Sequence, residues 1–126
     1  ILEVRKEAAA LEMVQLNCPG EVEFGDFRVT CTPAEAILQG EHVFTVSPVG
    51  TLILRSRQSG DAIRLSGGRK SLKKLFIDRK IPAAQREQIP VVCDEQGILG
   101  VYSIGVDRDR AAVQLPAVKV RIEIKR

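Results

Sequence analysis

Leu52–Pro90 reads LILRSRQSGDAIRLSGGRKSLKKLFIDRKIPAAQREQIP. Its signals come in a fixed order. Apolar alternation predicts a strand over 51–57, Ser59-Gly60-Asp61 a tight turn, and Ala62–Leu65 a second short strand. Gly67 and Gly68 predict a loop, and Ser71 is a good N-cap for a helix from Leu72 to about Lys80. Leu72, Leu75 and Phe76 share one helical face, with Ile77 flanking, which leaves Lys73, Lys74 and Lys80 pointing outward. Pro82 ends this helix and starts another over about 83–88. The same stretch holds most of the positive charge. From Arg55 to Arg86, ten Lys or Arg meet only Asp61 and Asp78, a local balance of +8. The whole chain is +3, so the remainder is −5. Such asymmetry in a small domain points to a phosphate-rich partner.

The flanks read as strands. Residues 1–17 favour two of them, 1–6 and 11–17, joined by a turn. Pro19-Gly20 turns the chain into a hairpin in which Val22 and Phe24, then Phe27, Val29 and Cys31, alternate with polar residues about the Gly25-Asp26 turn. A connection from Pro33 to Gly40 leads to a strand over 42–46. Beyond Pro90, strands are expected over 91–93 and 98–104, with a hairpin turn at 94–97, a further turn at Gly105-Val106-Asp107 and a solvated loop at 107–110. Val118, Val120, Ile122 and Ile124 alternate with Lys119, Arg121, Glu123 and Lys125, the clearest half-buried strand in the chain. The sum is an α+β domain of about eight to ten short strands and one helical pair. Residues 1–126 form a single domain: a β-rich lead-in over 1–50, a core over 51–110 and a closing strand within 111–126.

A chain of 126 residues suffices for one domain with one core. With aromatics at 4% and no Trp, that core must be built from Val, Ile and Leu, which favours strands. No run of about 18 apolar residues is present, so no transmembrane helix is expected. The start carries charges throughout and no signal-peptide pattern, and opening at Ile1 rather than Met suggests a piece cut from a longer protein. Cys18, Cys31 and Cys93 are odd in number and fit no zinc spacing, so reduced thiols in a cytoplasmic protein are expected. His42 has no ligand or catalytic partner nearby in sequence and reads as structural. The acid pairs Asp94-Glu95 and Asp107/Asp109 read as solvated turn residues, and no catalytic constellation or metal site is expected.

Ser66–Ser71, SGGRKS, lies between a strand and a helix, where a phosphate loop would sit. It superficially resembles the SGGxDS loop of N-type ATP pyrophosphatases, but Lys70 stands where that loop has Asp, and only one helical region is available. A basic loop touching nucleic-acid phosphate suits it better. Free aromatics for base stacking are scarce, since Phe76 is expected in the core and Tyr102 is the only tyrosine. Backbone and shape recognition of a duplex is therefore favoured over single-strand stacking. The competing readings are an interdomain or protein-interaction scaffold, in which the cations meet acidic protein faces, and an ATP enzyme using Ser66–Ser71.

The spacing of these residues resembles the C-terminal domain of the tRNA(Ile)-lysidine synthetase family. An R-x-R-x-x-G-D turn appears as Arg55, Arg57, Gly60 and Asp61, and a KKLFID-x-KIP helix as Lys73–Asp78, Lys80, Ile81 and Pro82. An Arg before an apolar-Pro pair appears as Arg86, Ile89 and Pro90, and a hairpin ending in G-[VI]-D as Gly105, Val106 and Asp107. The match is specific from about Leu52 to Arg110. The chain departs from the family at the last hairpin, where Gly100 and Ser103 stand in a region that often carries Trp and Pro-Gly. The resemblance implies a three-layer β-rich sandwich, shared with a domain of the phenylalanyl-tRNA synthetase β chain, that grips the tRNA acceptor stem. The family's full enzyme uses ATP with Mg to activate the wobble cytidine of an isoleucine tRNA with a CAU anticodon, and L-lysine then displaces the adenylate. That chemistry belongs to another domain, so this one is expected to hold no cofactor and no catalytic residue. A homodimer is left open. The candidate RNA contacts are Arg55, Arg57, Arg64, Arg69, Lys70, Lys73, Lys74, Arg79, Lys80 and Arg86. Among them Arg57 is a candidate brace for Asp61, Arg86 a candidate brace for the helices, and Arg69, Lys70, Lys73 and Lys74 are expected to be the freest.

Overall fold

The strand with the clearest alternation lies inside a sheet. In a computed structural model that describes residues 11–125, β11 (Val118–Ile124) pairs antiparallel with β3 (Phe27–Pro33) on one side and β4 (Val43–Val46) on the other. With β2 (Gly20–Phe24) at the edge, the order is β2-β3-β11-β4. The register aligns Val29 with Ile122, and Cys31 with Val120 and Phe44. These side chains are essentially sealed from water and form this sheet's share of the core. On the outer face Arg28 meets Glu123, and Thr30 meets Arg121.

A second sheet has the order β1-β5-β8-β9-β10. Its strands are β1 (Val14–Leu16), β5 (Leu52–Arg55), β8 (Val91–Asp94), β9 (Gly97–Val101) and β10 (Gly105–Val106). All four residues of β8 are buried, so both faces of this sheet are covered at its centre. A two-stranded ribbon, β6 (Ala62–Leu65) with β7 (Gly68–Ser71), leads into α1 (Leu72–Asp78), which is followed by α2 (Ala83–Arg86). Ile63 of the ribbon and Leu72, Leu75 and Phe76 of α1 join both sheets in one core cluster. The result is the β-rich α+β architecture expected.

Several local expectations are corrected. Among the described residues the first strand is only Val14–Leu16, and the strand expected over 1–6 lies outside them. Gly67 and Gly68 do not form a loop before the helix. Ser66-Gly67 is a tight turn, Gly68 takes a left-handed φ of 107°, and Gly68–Ser71 is itself a strand. The strand expected over 98–104 breaks after Val101, and the chain turns through Ser103, at a φ of 72°, into the short strand Gly105–Val106. The helix ends at Asp78 because Lys80 adopts a left-handed φ of 58°. Lys80 N–H then donates to Ile77 O, and Ile81 N–H to Phe76 O, the paired bonds of a Schellman stop.

Gly100 now has a physical reason. A Cβ there would lie 2.8 Å from the ring of Phe44, which is fully buried. Gly100→Ala is expected to cost about 1–3 kcal/mol through this overpacking. Denaturant titration would register it as a lower midpoint at unchanged slope.

Candidate nucleic-acid interface

Four hydrogen bonds seat the ribbon and the helix start. Arg64 N–H donates to Asp107 Oδ2 at 3.1 Å, and Arg108 N–H donates to Arg64 O at 2.8 Å. Leu72 N–H donates to Asp61 O at 3.0 Å, and Lys74 N–H to Ser71 Oγ at 3.1 Å, so Ser71 is the N-cap expected. Two donors at the helix start, Leu72 N–H and Lys74 N–H, are thus occupied, and β7 separates the SGG turn from the helix. The SGGRKS stretch is a hairpin and not a phosphate loop, which removes the geometric basis of an ATP site.

The ten candidate cations fall into three groups. Arg55, Arg57 and Arg86 are braces. Arg55 grips Asp61 with both terminal nitrogens, at 2.7 and 3.1 Å, and both side chains are largely buried. Asp61, not paired with Arg57 as expected, also accepts from Gln58 N–H at 2.8 Å and so closes its own turn. Arg57 lies beyond the end of β5 and reaches Glu87 at 3.4 Å, its buried Nε without a partner among the described residues. Arg86 Nε donates to Ile81 O at 2.8 Å and ties the end of α2 back to the connection that follows α1. Burial alone would make Arg55 release its proton more readily, but the Asp61 hydrogen bond, the neighbouring Cys93 and the charge of the Asp61 carboxylate together outweigh it and hold the guanidinium above its ordinary value.

Arg64 and Arg79 make surface pairs. Arg64 meets Asp109 at 3.0 Å, with both side chains more than half exposed. Arg79 meets Glu41 at 3.2 Å and donates to Ser103 O at 2.6 Å. Such pairs are weak and exchangeable. Arg69, Lys70, Lys73, Lys74 and Lys80 are all exposed, and their side chains make no ion pair or hydrogen bond among the described residues. Four of them, Arg69, Lys70, Lys73 and Lys74, lie in β7 and the first turn of α1, interrupted only by Ser71 and Leu72, and Lys80 stands just past the helix end.

One member of each acid pair departs from the solvated turn expected, while Glu95 and Asp109 are exposed. Asp94 and Asp107 are buried. Asp94 accepts from Val49 N–H at 2.7 Å, from Gln96 N–H at 2.8 Å and from Arg110 Nη2. Burial would raise its carboxyl pKa, but the bonds from Arg110 and the two backbone N–H groups win and hold it below the ordinary carboxylate value. Asp107 accepts from Arg64 N–H and from Asp109 N–H. Each thus fixes a turn by accepting an N–H two residues on, a role open to Asp at the head of such turns.

Tyr102 and the two buried cysteines are occupied or inert, while Cys18 is an exposed free thiol. Tyr102 stacks on His42 at 4.7 Å and meets the edge of Phe27 at 4.6 Å, so its ring is already engaged. Burial pushes the Cys93 thiol up to about 11 and Cys31 well above its usual value, so neither is a nucleophile near neutral pH. Among the described residues no cluster of His, Cys, Asp or Glu could hold a metal, and no helix is long and apolar enough to cross a membrane.

Comparison with known proteins gives one consistent result. The family described as the TilS substrate C-terminal domain matches residues 52–123. A tRNA(Ile)-lysidine synthase of Clostridioides difficile is 48% identical over 57 residues, 44% of this chain and 12% of that protein. One of Streptococcus sanguinis is 33% identical over 104 residues, 81% of this chain and 24% of that protein. The chain therefore spans a quarter or less of these relatives. A solved structure, described as the crystal structure of the TILS C-terminal domain, superposes with a TM-score of 0.81 at 23% identity, over 92% of this chain and 98% of that one. At that identity the likeness is one of fold.

Proposed function

The chain belongs to the TilS substrate C-terminal domain family, and on that premise we propose that it is the tRNA-gripping domain of a cytoplasmic tRNA(Ile)-lysidine synthase. The whole enzyme would join L-lysine to the wobble cytidine of an isoleucine tRNA with a CAU anticodon, using ATP with Mg. Those reactants would be bound outside this chain, which contributes no catalytic residue. Its own task is to hold the tRNA by its backbone, at the acceptor stem.

One observation carries this reading: five exposed cations without an ion pair or hydrogen bond among the described residues stand on β7, the start of α1 and the residue after its cap, while Arg55, Arg57 and Arg86 are spent on bracing. A duplex phosphate track fits such a row, and with Tyr102 and Phe76 engaged elsewhere, base stacking has little to offer. Titration of the chain with a hairpin duplex, an unstructured single strand of equal length, and ATP tests the class of ligand. Duplex binding should exceed single-strand binding and ATP should not bind. A preference for the single strand would overturn the duplex reading.

Lys80 offers a sharper test. A left-handed φ favours Gly, yet a cation stands there. Lys80→Gly is expected to raise stability by about 1 kcal/mol and at the same time weaken duplex binding. Thermal unfolding and RNA titration on the same variant check both signs.

A further inference from the structure

Arg64 and Arg69 are direct partners across the β6–β7 ribbon. The backbone N–H and C=O of Arg64 are spent on Asp107 and Arg108, away from β7. The pair is therefore of the non-hydrogen-bonded kind, with Cα atoms about 4.5 Å apart and both side chains on the same face. Two like charges so placed repel, and sheets normally avoid the arrangement. Arg64 has one counter-ion, Asp109, while the Arg69 side chain has none among the described residues. Both arginines line one open cleft with Asp61, Asp107, Asp109 and Arg110.

Most other charges in that cleft are already committed. Asp61 serves Arg55 and Gln58. Asp107 serves two backbone N–H groups, and Arg110 serves Asp94. What remains is two opposed guanidiniums and one exchangeable carboxylate. Asp109 is not there by chance of a loose loop, because its N–H is fixed on Asp107 Oδ1 at 2.8 Å and Arg110 N–H on Asp107 O at 3.0 Å.

Resting on the RNA reading above, we propose that Arg64 and Arg69 form a two-guanidinium clamp for one backbone phosphate of duplex RNA, and that Asp109 is its built-in competitor. A phosphate presents several oxygens and can accept from both planar forks at once, which one carboxylate on Arg64 does not do. In the free domain Asp109 holds Arg64 in place. On binding, the phosphate takes over Arg64, relieves the Arg64–Arg69 repulsion and displaces the Asp109 carboxylate. An RNA that places no phosphate between the two arginines meets Asp109 instead, so the carboxylate penalises ill-fitting RNA and acts as a specificity determinant.

The test compares variants of the 126-residue chain for affinity toward tRNA and for melting temperature. Asp109→Asn should tighten binding about 3–10-fold at low salt and steepen the salt dependence by about one unit of log–log slope. Arg69→Gln should weaken binding about 5–10-fold with the melting temperature unchanged or raised, since a repulsion is removed. In an Arg64→Gln background the Asp109→Asn gain should vanish. A gain that survives without Arg64 would mean only long-range charge and overturns the clamp, as does a fall in melting temperature with Arg69→Gln. If the unaltered chain binds tRNA and neither Asp109→Asn nor Arg69→Gln changes its affinity, the clamp is wrong and the RNA reading stands. If the unaltered chain binds no tRNA at low salt, both fall.

Discussion

Asp94→Ala is expected to lose about 3 kcal/mol of folding stability, close to what removing one member of a buried ion pair costs. The carboxylate is shut off from water, and it joins three separate segments. Val49 N–H precedes β5, Gln96 N–H lies in the β8–β9 turn, and Arg110 follows β10. Truncation leaves the Arg110 guanidinium, itself mostly buried, and two N–H groups without their acceptor. Asp94→Asn should not rescue it, because an amide nitrogen would face donors. The pH dependence has a definite sign. The folded carboxyl is held below its ordinary value, so the unfolded chain takes the proton more readily and stability rises with pH. The contribution of Asp94 is complete above the unfolded pKa of about 4 and is lost as pH falls through the lower folded pKa. Denaturant titrations of both proteins should therefore differ most near pH 7 and converge in strong acid.

Replacing Lys70, Lys73 and Lys74 together by Gln is expected to weaken tRNA binding about 10–100-fold at about 0.1 M monovalent salt, and to reduce the log–log salt slope by about 2–3. Stability should stay within about 0.5 kcal/mol of the parent, because these side chains are exposed and have no partner among the described residues. Lys73 and Lys74 occupy the outward face of a helix whose inward face, Leu72, Leu75 and Phe76, is untouched. Gel-shift or anisotropy titrations at several salt concentrations, with a thermal melt as control, separate a charge effect from a folding effect. An unchanged slope would mean that these lysines do not meet phosphate.

Where a segment's own residues decide its structure, the fold is legible in sequence. β11 shows its period in its apolar positions, and α1 shows a cap and an apolar trio, though its stop is set by the left-handed Lys80 before Pro82 is reached. The SGG hairpin is not legible in this way. All four residues of β7 are exposed, so no apolar alternation marks it as a strand. Its register comes from main-chain pairing with Ala62–Leu65, and Ser71 is at once its last residue and the helix cap. β10 has two residues, too few to show a period. Asp94 and Asp107 look like surface turn residues because their partners are distant: Val49 lies 45 residues away and Arg64 lies 43. The candidate interface divides along the same line. That Arg69, Lys70, Lys73 and Lys74 stand free follows from their place beside a cap and on the polar face of a helix. Which arginines are spent as braces depends on Asp61, Glu87 and the Ile81 carbonyl, and only the folded chain shows that Arg55 rather than Arg57 takes Asp61.

The claim at the centre of this account is that the basic row on β7 and α1 meets RNA phosphate. Titrating the 126-residue chain with isoleucine tRNA across a series of KCl concentrations tests it most directly. Binding should be measurable at low salt and fall linearly on a log–log plot with a slope of about −3 to −5, the mark of a handful of phosphate contacts. No measurable binding at low salt, to the tRNA or to a duplex acceptor-stem mimic, would contradict it and leave the cations to an acidic protein surface.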